Sequence, residues 1–417
     1  ASKPAGGGDL VVRGRIETEL VLPEAGEAQD GLRFDAPGFG SLGTGAATGT
    51  DAAGRTVAGR LAFDGQHVEY RLPADFVAGG AYPLVLDPLF NFTFVVATDF
   101  VETAPDATSD ASTNTHFIVW QRQFASGDYD IRGQRVDPSM LFIGGTVFIE
   151  SDASVNALHP RVGDMNNANR FIVVWTDSTG FLQGQIKCRA VSATTGAVSA
   201  KASVGPTSGL NTNPDVGCEA QEIYDKAIVV WQALNSTTLD FEVMPADVTV
   251  PVSGTPSVVS TVTLGSGFDD TEPSISSHDL FGNQMVVWKR AFSSGDTEIR
   301  GAVVDRNLTV VDPAINITNN TTWESAPAVG GDGYNFIVAY ETEPTEASGD
   351  KDVVAMRVRV VPSGQYLPTG TTINLDVGVL NSDRPDVAWM YGGSALVVWR
   401  QEMLNGNYRF ALASLDG

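Results

Sequence analysis

The stretch FIVVWTDSTGFLQGQIKCRAV, residues 171–191, decides the fold. It opens with a short apolar run that ends at Trp175, passes through a polar segment, and continues as a second run of alternating apolar and polar residues. Val, Ile and Trp favour β-strands, and the run is shorter than a typical helix. The stretch therefore predicts two consecutive strands joined by a polar hairpin.

The same pattern recurs along the chain and defines six repeats. Their aromatic residues are spaced by 55, 56, 57, 52 and 59 residues, and a proline precedes each by 13 to 17 residues. The six aromatic residues are Trp120, Trp175, Trp231, Trp288, Tyr340 and Trp399. The six prolines are Pro105, Pro160, Pro214, Pro273, Pro327 and Pro385. Four short strands in each repeat are typical of a β-propeller blade.

The two ends of the repeat region predict how the ring closes. The sixth repeat stops after its third strand, YRFALASLDG, whereas residues 91–105 align with the fourth strand and following loop of repeat four, residues 314–327. We therefore expect an all-β chain with a six-bladed β-propeller over residues 91–417, in which an N-terminal strand completes the last blade and removes its open edge. Residues 1–90, with alternating strands and Gly-rich turns, predict a small β-sandwich-like domain. A degenerate seventh blade in this N-terminal region is the alternative.

Two motifs carry a resemblance to known proteins. VVWQ and GDYDIRGQRVD resemble the propeller-type repeats of bacterial cell-surface and secreted proteins, and AYPLVLDP at residues 81–88 is similar to the YPxxIDP-like end of a β-module that precedes such repeats. The resemblance implies export, binding or scaffolding, and an extracellular or cell-surface location. It also implies processing from a longer precursor.

Composition limits the partners. Fifty acidic residues against 26 basic ones give a net charge of −24, which argues against nucleic acid as a partner because phosphate binding needs a cationic face. No apolar run reaches the length of a membrane-spanning helix. Cys188 and Cys218 lie in adjacent repeats, and their spacing leaves open a disulfide or two free thiols.

Candidate ligand-binding residues lie in the loops expected on one face of the propeller. These loops join the fourth strand of one blade to the first of the next, and they share that face with the hairpins between second and third strands. Carboxylates there suit acid–base chemistry, and an exposed aromatic side chain offers an apolar face to a sugar ring. The candidates are Trp323, Glu324, Asp269, Asp270, Glu272, His159, Asp383 and Arg384.

Three hairpins share an SGD sequence followed by a second acid, and they are the candidate metal sites. The paired acids are Asp128 with Asp130, Asp296 with Glu298, and Asp350 with Asp352. Residues two apart on a strand point to one side, and paired carboxylate oxygens suit Ca²⁺. None of the hairpins has the DxDxDG spacing of a dedicated calcium loop, which favours solvated turns over a metal site.

The sequence supports two functions. The first is an extracellular, non-enzymatic binding or scaffold module that recognises a carbohydrate or a protein through its acidic loop face, because the loops differ while the strands stay similar. The second is a secreted polysaccharide-active enzyme, a glycosidase or lyase with carboxylates in the central funnel. A carboxyl of strongly raised pKa beside a second acid at the hub would favour the enzyme.

Overall fold

The computed structural model describes residues 8–28, 31–36, 40–94, 101–125, 127–180, 182–218, 225–277, 282–293, 296–344, 349–376, 381–390, 393–402 and 408–416. The chain divides into two compact units, Ala1–Asp99 and Phe100–Gly417. The described residues contain no helix with the length and apolar character needed to cross a membrane. Almost all regular structure is β, as the sequence predicts.

The first unit consists of two small sheets, ordered β1-β7-β6-β2 and β3-β4-β5, with β8 added to β4. Alternate residues of β7 are buried, and Val68 and Tyr70 join Phe34 and Phe63 in an apolar core to which both sheets contribute. The elements are β1 Leu10–Arg15, β2 Gly26–Glu27, β3 Leu32–Ala36, β4 Gly40–Thr50, β5 Thr56–Ala58, β6 Arg60–Phe63, β7 His67–Leu72, α1 Ala74–Gly79 and β8 Val85–Phe94.

The strand expected to complete the last blade belongs, over residues 91–94, to this first unit. In β8, Asn91 lies opposite Gly43 and Phe94 opposite Gly40 of β4, so these residues pair with β4 and not with the sixth repeat. Residues 95–100, the rest of the expected closing strand, lie outside the described residues. The physical reason is proximity along the chain: pairing with β4 closes a far shorter loop than pairing with residues 408–416 and costs less entropy.

The second unit is a succession of antiparallel sheets, one for each repeat. Sheets one to three have four strands each, sheets four and five have four each and are joined by a single bridge between Thr297 and Trp323, and sheet six has three among the residues that the structure describes. The strands of sheets one to three are β9 Val101–Asp110, β10 Thr115–Ala125, β11 Asp128–Val136, β12 Phe142–Glu150, β13 Asn156–Met165, β14 Arg170–Gly180, β15 Gln183–Ser192, β16 Ala202–Ser203, β17 Asn211–Cys218, β18 Lys226–Leu234, β19 Phe241–Thr249 and β20 Ser257–Thr261. Those of sheets four to six are β21 Asp269–Ile275, β22 Asn283–Ser293, β23 Asp296–Asp305, β24 Val310–Asn316, β25 Trp323–Gly331, β26 Asn335–Glu343, β27 Asp352–Val360, β28 Tyr366–Asp376, β29 Ser382–Met390, β30 Ser394–Glu402 and β31 Tyr408–Asp416. A single-turn 3₁₀ helix, Asn166–Ala168, joins β13 to β14.

Each sheet packs on the next through an apolar cluster. In β14, Phe171, Val173 and Trp175 pack against sheet one, whereas Ile172 and Val174 pack against sheet three. This two-sided burial explains why the VVW run is apolar at every position. Five such clusters join sheets one to six in order, and the fold is a β-propeller.

The two cysteines lie in the cluster between sheets two and three. Cys188 and Cys218 are both buried and both free, so the structure contains two thiols there and no disulfide between them.

Candidate functional site

The first strands of successive sheets contact one another and therefore lie innermost, around the axis. In each of them the residue before the repeat's proline has a positive φ. The values are 48° at Ala104, 53° at His159, 51° at Asn213, 55° at Glu272, 47° at Ala326 and 53° at Arg384. Such a conformation is unusual, because the proline ring disfavours helical backbone before it and residues other than glycine rarely adopt positive φ. The pairing with the second strand shifts register at every one of these sites, which identifies a β-bulge.

Three of these strained residues are predicted site residues, and a side chain of the preceding sheet holds the backbone N–H of each. The acceptors come directly after the aromatic residue of the repeat. The bonds run from His159 N–H to Gln121 Oε1 at 3.2 Å, from Glu272 N–H to Gln232 Oε1 at 2.9 Å, and from Arg384 N–H to Glu341 Oε1 at 2.8 Å. A backbone strain of about 1–3 kcal/mol persists only when its surroundings fix it. The bulges therefore place His159, Glu272 and Arg384 at equivalent, well-defined positions.

A charged cluster lies one residue beyond the proline on the same strands. Asp106, Arg161, Asp215 and Asp386 each directly follow the proline of their repeat. Arg161 Nε lies 3.7 Å from Asp215 Oδ1, and Asp106 Oδ2 accepts a hydrogen bond from the Val162 N–H at 2.7 Å. We call Asp106, Arg161, Asp215 and Asp386 the axial cluster.

Burial and charge set the protonation of the axial cluster. Burial raises the pKa of Asp106 to about 7; the charge of Arg161 opposes this shift and the charge of Asp386 adds to it. Burial also raises the pKa of Asp215, again opposed by Arg161. For Arg161, burial would lower the pKa, but the three carboxylates together raise it. Unlike carboxyl groups around one permanent cation are a frequent feature of acid–base sites.

The residues of the axial cluster keep part of their surface accessible. The Arg161 side chain keeps 42% of its surface accessible although the protein that surrounds it dominates its electrostatics. Asp386 is exposed and Asp106 half-buried. Groups that are deep in the protein yet accessible can meet a ligand that enters along the axis. His159 lies beside the cluster, where burial, followed by the charge of Arg161, lowers its pKa.

Two predicted site residues, Glu272 at the bulge of repeat four and Trp323 at the start of repeat five, share a neighbour in Lys289. Glu272 forms an ion pair with Lys289, and its Oε2 accepts a hydrogen bond from the Ala326 N–H at 2.7 Å. Trp323 is half-buried, with its ring centroid 5.8 Å from Lys289 Nζ. Glu272, Lys289 and Trp323 thus form one continuous group.

The remaining predicted ligand residues have structural partners. Asp270 is fully buried and accepts hydrogen bonds from Trp288 Nε1 at 3.0 Å and from Arg290 Nε at 2.7 Å. Asp383 pairs with Arg400, and the Asp269 carboxylate accepts a hydrogen bond from the backbone of the preceding repeat. Glu324 is buried, and its carboxyl group is held by Asn320 and Thr322. These contacts stabilise the loop face, and a ligand-binding role for these four acids stays a prediction.

Two acids of the SGD hairpins have structural partners among the described residues. No group of three or more His, Cys, Asp or Glu side chains is placed to hold a metal ion in the described part of the chain. Asp130 is paired with Arg132 at 2.5 Å, and Glu298 accepts hydrogen bonds from Thr318 Oγ1 at 2.5 Å and the Asn320 N–H at 2.6 Å. Burial raises the pKa of Asp130, a shift that Arg132 opposes. Calcium binding by Asp128, Asp296, Asp350 and Asp352 stays a prediction.

Exposed phenylalanine rings form a second feature of the loop face. Phe268 and Phe292 have ring centroids 5.0 Å apart, and both rings are exposed. The Arg290 guanidinium lies 4.8 Å from the Phe268 centroid, and Arg300 lies 5.1 Å from that of Phe292. Rings that neighbouring guanidinium groups hold in place while one surface stays exposed can stack on a sugar.

Comparison with known proteins yields structures and no sequence family. No family model matches the chain, and no curated protein matches it. A protein of unknown function from Dyadobacter fermentans is similar with a TM-score of 0.51 and 10% identity, over 76% of this chain and 95% of that one. An α-L-arabinanase from Penicillium chrysogenum has a TM-score of 0.49 and 9% identity, over 76% and 95%, and the NanB sialidase from Streptococcus pneumoniae has 0.49 and 8%, over 99% and 95%. Identities this low concern the fold alone.

Sequence reasoning missed the axial cluster. The loop acids attracted attention because they are numerous, whereas Asp106, Arg161, Asp215 and Asp386 look like ordinary polar residues of a strand. One signal was available: in the alignment of the repeats these four residues occupy one column, directly after the proline, where repeats four and five have Ser274 and Ala328.

Proposed function

We propose that the axial cluster is the active site of a polysaccharide-active hydrolase. One observation carries the proposal: burial raises the pKa of Asp106, on the inner strand of sheet one, to about 7, and the charge of the exposed Asp386, on the inner strand of sheet six, adds to that shift. Glycoside hydrolysis needs two carboxyl groups in unlike environments, one protonated and one ionised. The enzyme interpretation therefore accounts for the axis better than the binding module that the sequence first suggested.

The proposed reaction uses each residue in a stated role. Asp106 donates its proton to the glycosidic oxygen as the bond between that oxygen and the anomeric carbon breaks. The oxygen of a water molecule bonds to the anomeric carbon, and Asp386 takes the proton that this water releases. Arg161 lies 3.7 Å from Asp215 and favours the ionised form of that carboxyl group, and its N–H groups can donate to hydroxyl or carboxylate groups of the sugar. The reaction consumes only the glycoside and one water molecule.

Binding without chemistry is the second candidate function, and the exposed rings of Phe268 and Phe292 favour it. Both rings are exposed, and Trp323 is half-buried. A module of this kind would hold a carbohydrate on its loop face. Under either function we propose an extracellular or cell-surface location, on the resemblance of the repeats to those of bacterial surface proteins.

The deciding experiment measures retention and release together. The protein is applied to an array of polysaccharides and glycans, with Ca²⁺ and again with a chelator, and each spot is assayed for bound protein and released sugar. We expect release by the wild type, a loss of about 100-fold or more in Asp106→Asn, and full activity in the control Asp152→Asn, which changes an exposed loop acid. Retention without release would support the binding module. Equal release by Asp106→Asn would remove Asp106 from the mechanism.

A further inference from the structure

Glu324 differs from the acids that occupy the same place in other repeats. It lies three residues before the proline of its repeat, as do Glu102 in repeat one and Asp270 in repeat four. Glu102 accepts a hydrogen bond from Arg122 Nε at 2.8 Å. Asp270 is fully buried and accepts one from Arg290 Nε at 2.7 Å. In both repeats a permanent cation therefore balances the charge of the acid.

Repeat five lacks the side chains that hold Asp270. The arginine two residues after the aromatic residue is replaced by Thr342, and the aromatic residue itself, whose indole N–H also donates to Asp270 in repeat four, is Tyr340. Glu324 is nevertheless 1% exposed. Its Oε1 accepts hydrogen bonds from neutral side chains of the loop 320–322, and its Oε2 has no hydrogen-bond partner among the residues that the structure describes. A carboxyl group buried in this way needs a bound cation or a proton.

A second acid with an unpartnered oxygen lies beside Glu324. Thr297 Oγ1 donates to the Glu324 carbonyl oxygen at 2.7 Å and accepts from the Glu324 N–H at 2.8 Å, which fixes the start of β23 next to Glu324. Asp296 directly precedes Thr297, and its buried Oδ1 has no hydrogen-bond partner in the described part of the chain. Burial, and then the charges of Glu298 and Asp296, raise the pKa of Glu324, as expected for neighbouring carboxyl groups.

Neutral oxygen atoms lie next to the Glu324 carboxyl group. Thr322 Oγ1 is within hydrogen-bond distance of both Glu324 Oε1 and Asn320 Oδ1. Ca²⁺ takes about six to eight oxygen ligands, which include carboxylate, amide and water oxygens. No group of three acids is placed around one metal ion within the described ranges, so the donor set available here is two carboxylates with amide, hydroxyl and water oxygens.

We propose that Asp296 Oδ1 and Glu324 Oε2 bind one Ca²⁺ ion between sheets four and five. Oxygen atoms of the loop 320–322 and water complete the coordination. A single backbone bridge, from Thr297 to Trp323, joins the two sheets at this place, and the ion adds a second link beside it. None of these residues belongs to the axial cluster, and Ca²⁺ binding here does not depend on the proposed hydrolase.

Thermal melting of the full chain tests whether the ion binds. Chelator-treated protein is melted at pH 8, above the pKa of about 7 to which burial raises Glu324, because bound Ca²⁺ must displace the proton. We expect saturating Ca²⁺ to raise the melting temperature by at least about 3 °C, and Mg²⁺ or NaCl at the same ionic strength by less than about 1 °C. Equal shifts with all three salts would mean that cations merely screen the net charge of −24, and would overturn the proposal.

Two variants locate the ion. Glu324→Gln and Asp296→Asn each remove one ligand charge with little change in shape, and the Ca²⁺ shift is taken within each variant, so that the variant's own stability does not enter. We expect each to lose the shift and, in calorimetric titration with CaCl₂, to bind the ion at least about 10-fold more weakly. Asp152→Asn, at an exposed loop acid, is the control and should keep both. If one variant does not fold, the other decides.

The SGD hairpin of sheet one supplies the competing site. Asp128 corresponds to Asp296, but the neighbouring acid Glu102 already has Arg122, so we expect Asp128→Asn to bind Ca²⁺ as the wild type does. Loss of the shift in Asp128→Asn, with the shift kept in Glu324→Gln, would place the ion at sheet one and overturn the proposal. Titration of the wild type without any bound Ca²⁺ would overturn it as well.

Discussion

At the scale of single residues, the energetics of the second unit depend on acids that lie inside it. Glu324 is 1% exposed; its Oε1 accepts a hydrogen bond from Asn320 Nδ2 at 2.9 Å, while its Oε2 has no hydrogen-bond partner among the described residues. Burial raises the pKa of Glu324 to about 7, and the nearby Glu298 and Asp296 charges act in the same direction. Such a carboxyl group stays protonated in the folded protein where the unfolded chain has already lost the proton.

The raised pKa of Glu324 makes the free energy of unfolding depend on pH. Between its ordinary pKa of 4.5 and the folded value of about 7, Glu324 binds more proton in the folded state, so the free energy of unfolding falls as pH rises. We expect Glu324→Gln, which is neutral at every pH, to remove on the order of 2 kcal/mol of this fall between pH 5 and pH 8. Urea unfolding at several pH values measures it, with Asp152→Asn as the control. Parallel pH curves for the wild type and Glu324→Gln would contradict the assignment.

The two thiols give a second prediction at this scale. Burial raises the pKa of Cys188 to about 12, and it also raises the pKa of Cys218. Because only the thiolate reacts, we expect no reaction of the native protein with a disulfide reagent at pH 8 and release of two equivalents after denaturation in urea. Reaction without denaturation would show that sheets two and three separate readily. No equivalents in urea would show that the thiols are joined in solution.

The residue scale also shows how far sequence reasoning reaches. His159, Glu272 and Arg384 were predictable as a set, because each precedes the proline of its repeat and the proline marks the inner strand. Asp270 was placed on the ligand face, but the structure buries it under Trp288 and Arg290. The sequence around a loop acid does not show whether the acid faces solvent or an indole N–H, because the partner lies elsewhere in the chain.

At the scale of elements, the strained bulges depend on side chains of the neighbouring sheet. Gln232 Oε1 accepts hydrogen bonds from the Glu272 N–H at 2.9 Å and from Asn213 Nδ2 at 3.2 Å, and Gln232 itself is buried. One amide thus fixes the inner strands of repeats three and four. The pattern predicted the strands themselves, but it could not predict these bridges, because Gln after a buried aromatic residue is equally common on an exposed strand end.

Removing the Gln232 side-chain amide should destabilise the fold. Gln232→Ala leaves the half-buried Glu272 N–H without its acceptor, and we expect a loss of about 1–3 kcal/mol in the free energy of unfolding. Gln365→Ala, at an exposed turn, is the matched control and should change stability by less than about 0.5 kcal/mol. Denaturant unfolding measures both variants. A loss of the same size in the two would mean that the bridge contributes nothing.

Close packing of the inner strands leads to a further prediction at this scale. A Cβ atom on Gly217 would lie 2.4 Å from the backbone oxygen of Ser276 in the next sheet. Gly217→Ala must therefore push sheets three and four apart, and we expect a loss of about 1–3 kcal/mol. Gly145→Ala, where a Cβ atom would meet nothing within 4 Å, should be neutral. Equal melting temperatures for the two variants would show that the junction between sheets three and four accommodates the added methyl group.

At the scale of the whole molecule, the sequence predicted the order of the sheets well and the end of the first unit poorly. Each repeat carries its own proline and buried aromatic residue, so its sheet and its junction with the next could be placed from local pattern. The partner of residues 91–94 could not be placed in this way, because a strand of alternating residues has the same pattern whichever sheet edge it joins. The choice between β4 and β31 depends on competing partners and on loop length, which no single stretch encodes.

The pairing of β8 with β4 predicts where the chain can be divided. Since β8 completes the sheet of the first unit, we expect residues 101–417 to fold without residues 1–100 and to unfold in one cooperative transition, measured by circular dichroism during heating. Removing only residues 1–84 should be worse, because it leaves β8 as an unpaired strand, and we expect that fragment to aggregate at lower temperature. Greater stability of residues 85–417 than of residues 101–417 would support a different partner for β8. If residues 85–417 fold stably and residues 101–417 do not, the strand that β4 holds in this structure is needed by the sixth sheet in solution.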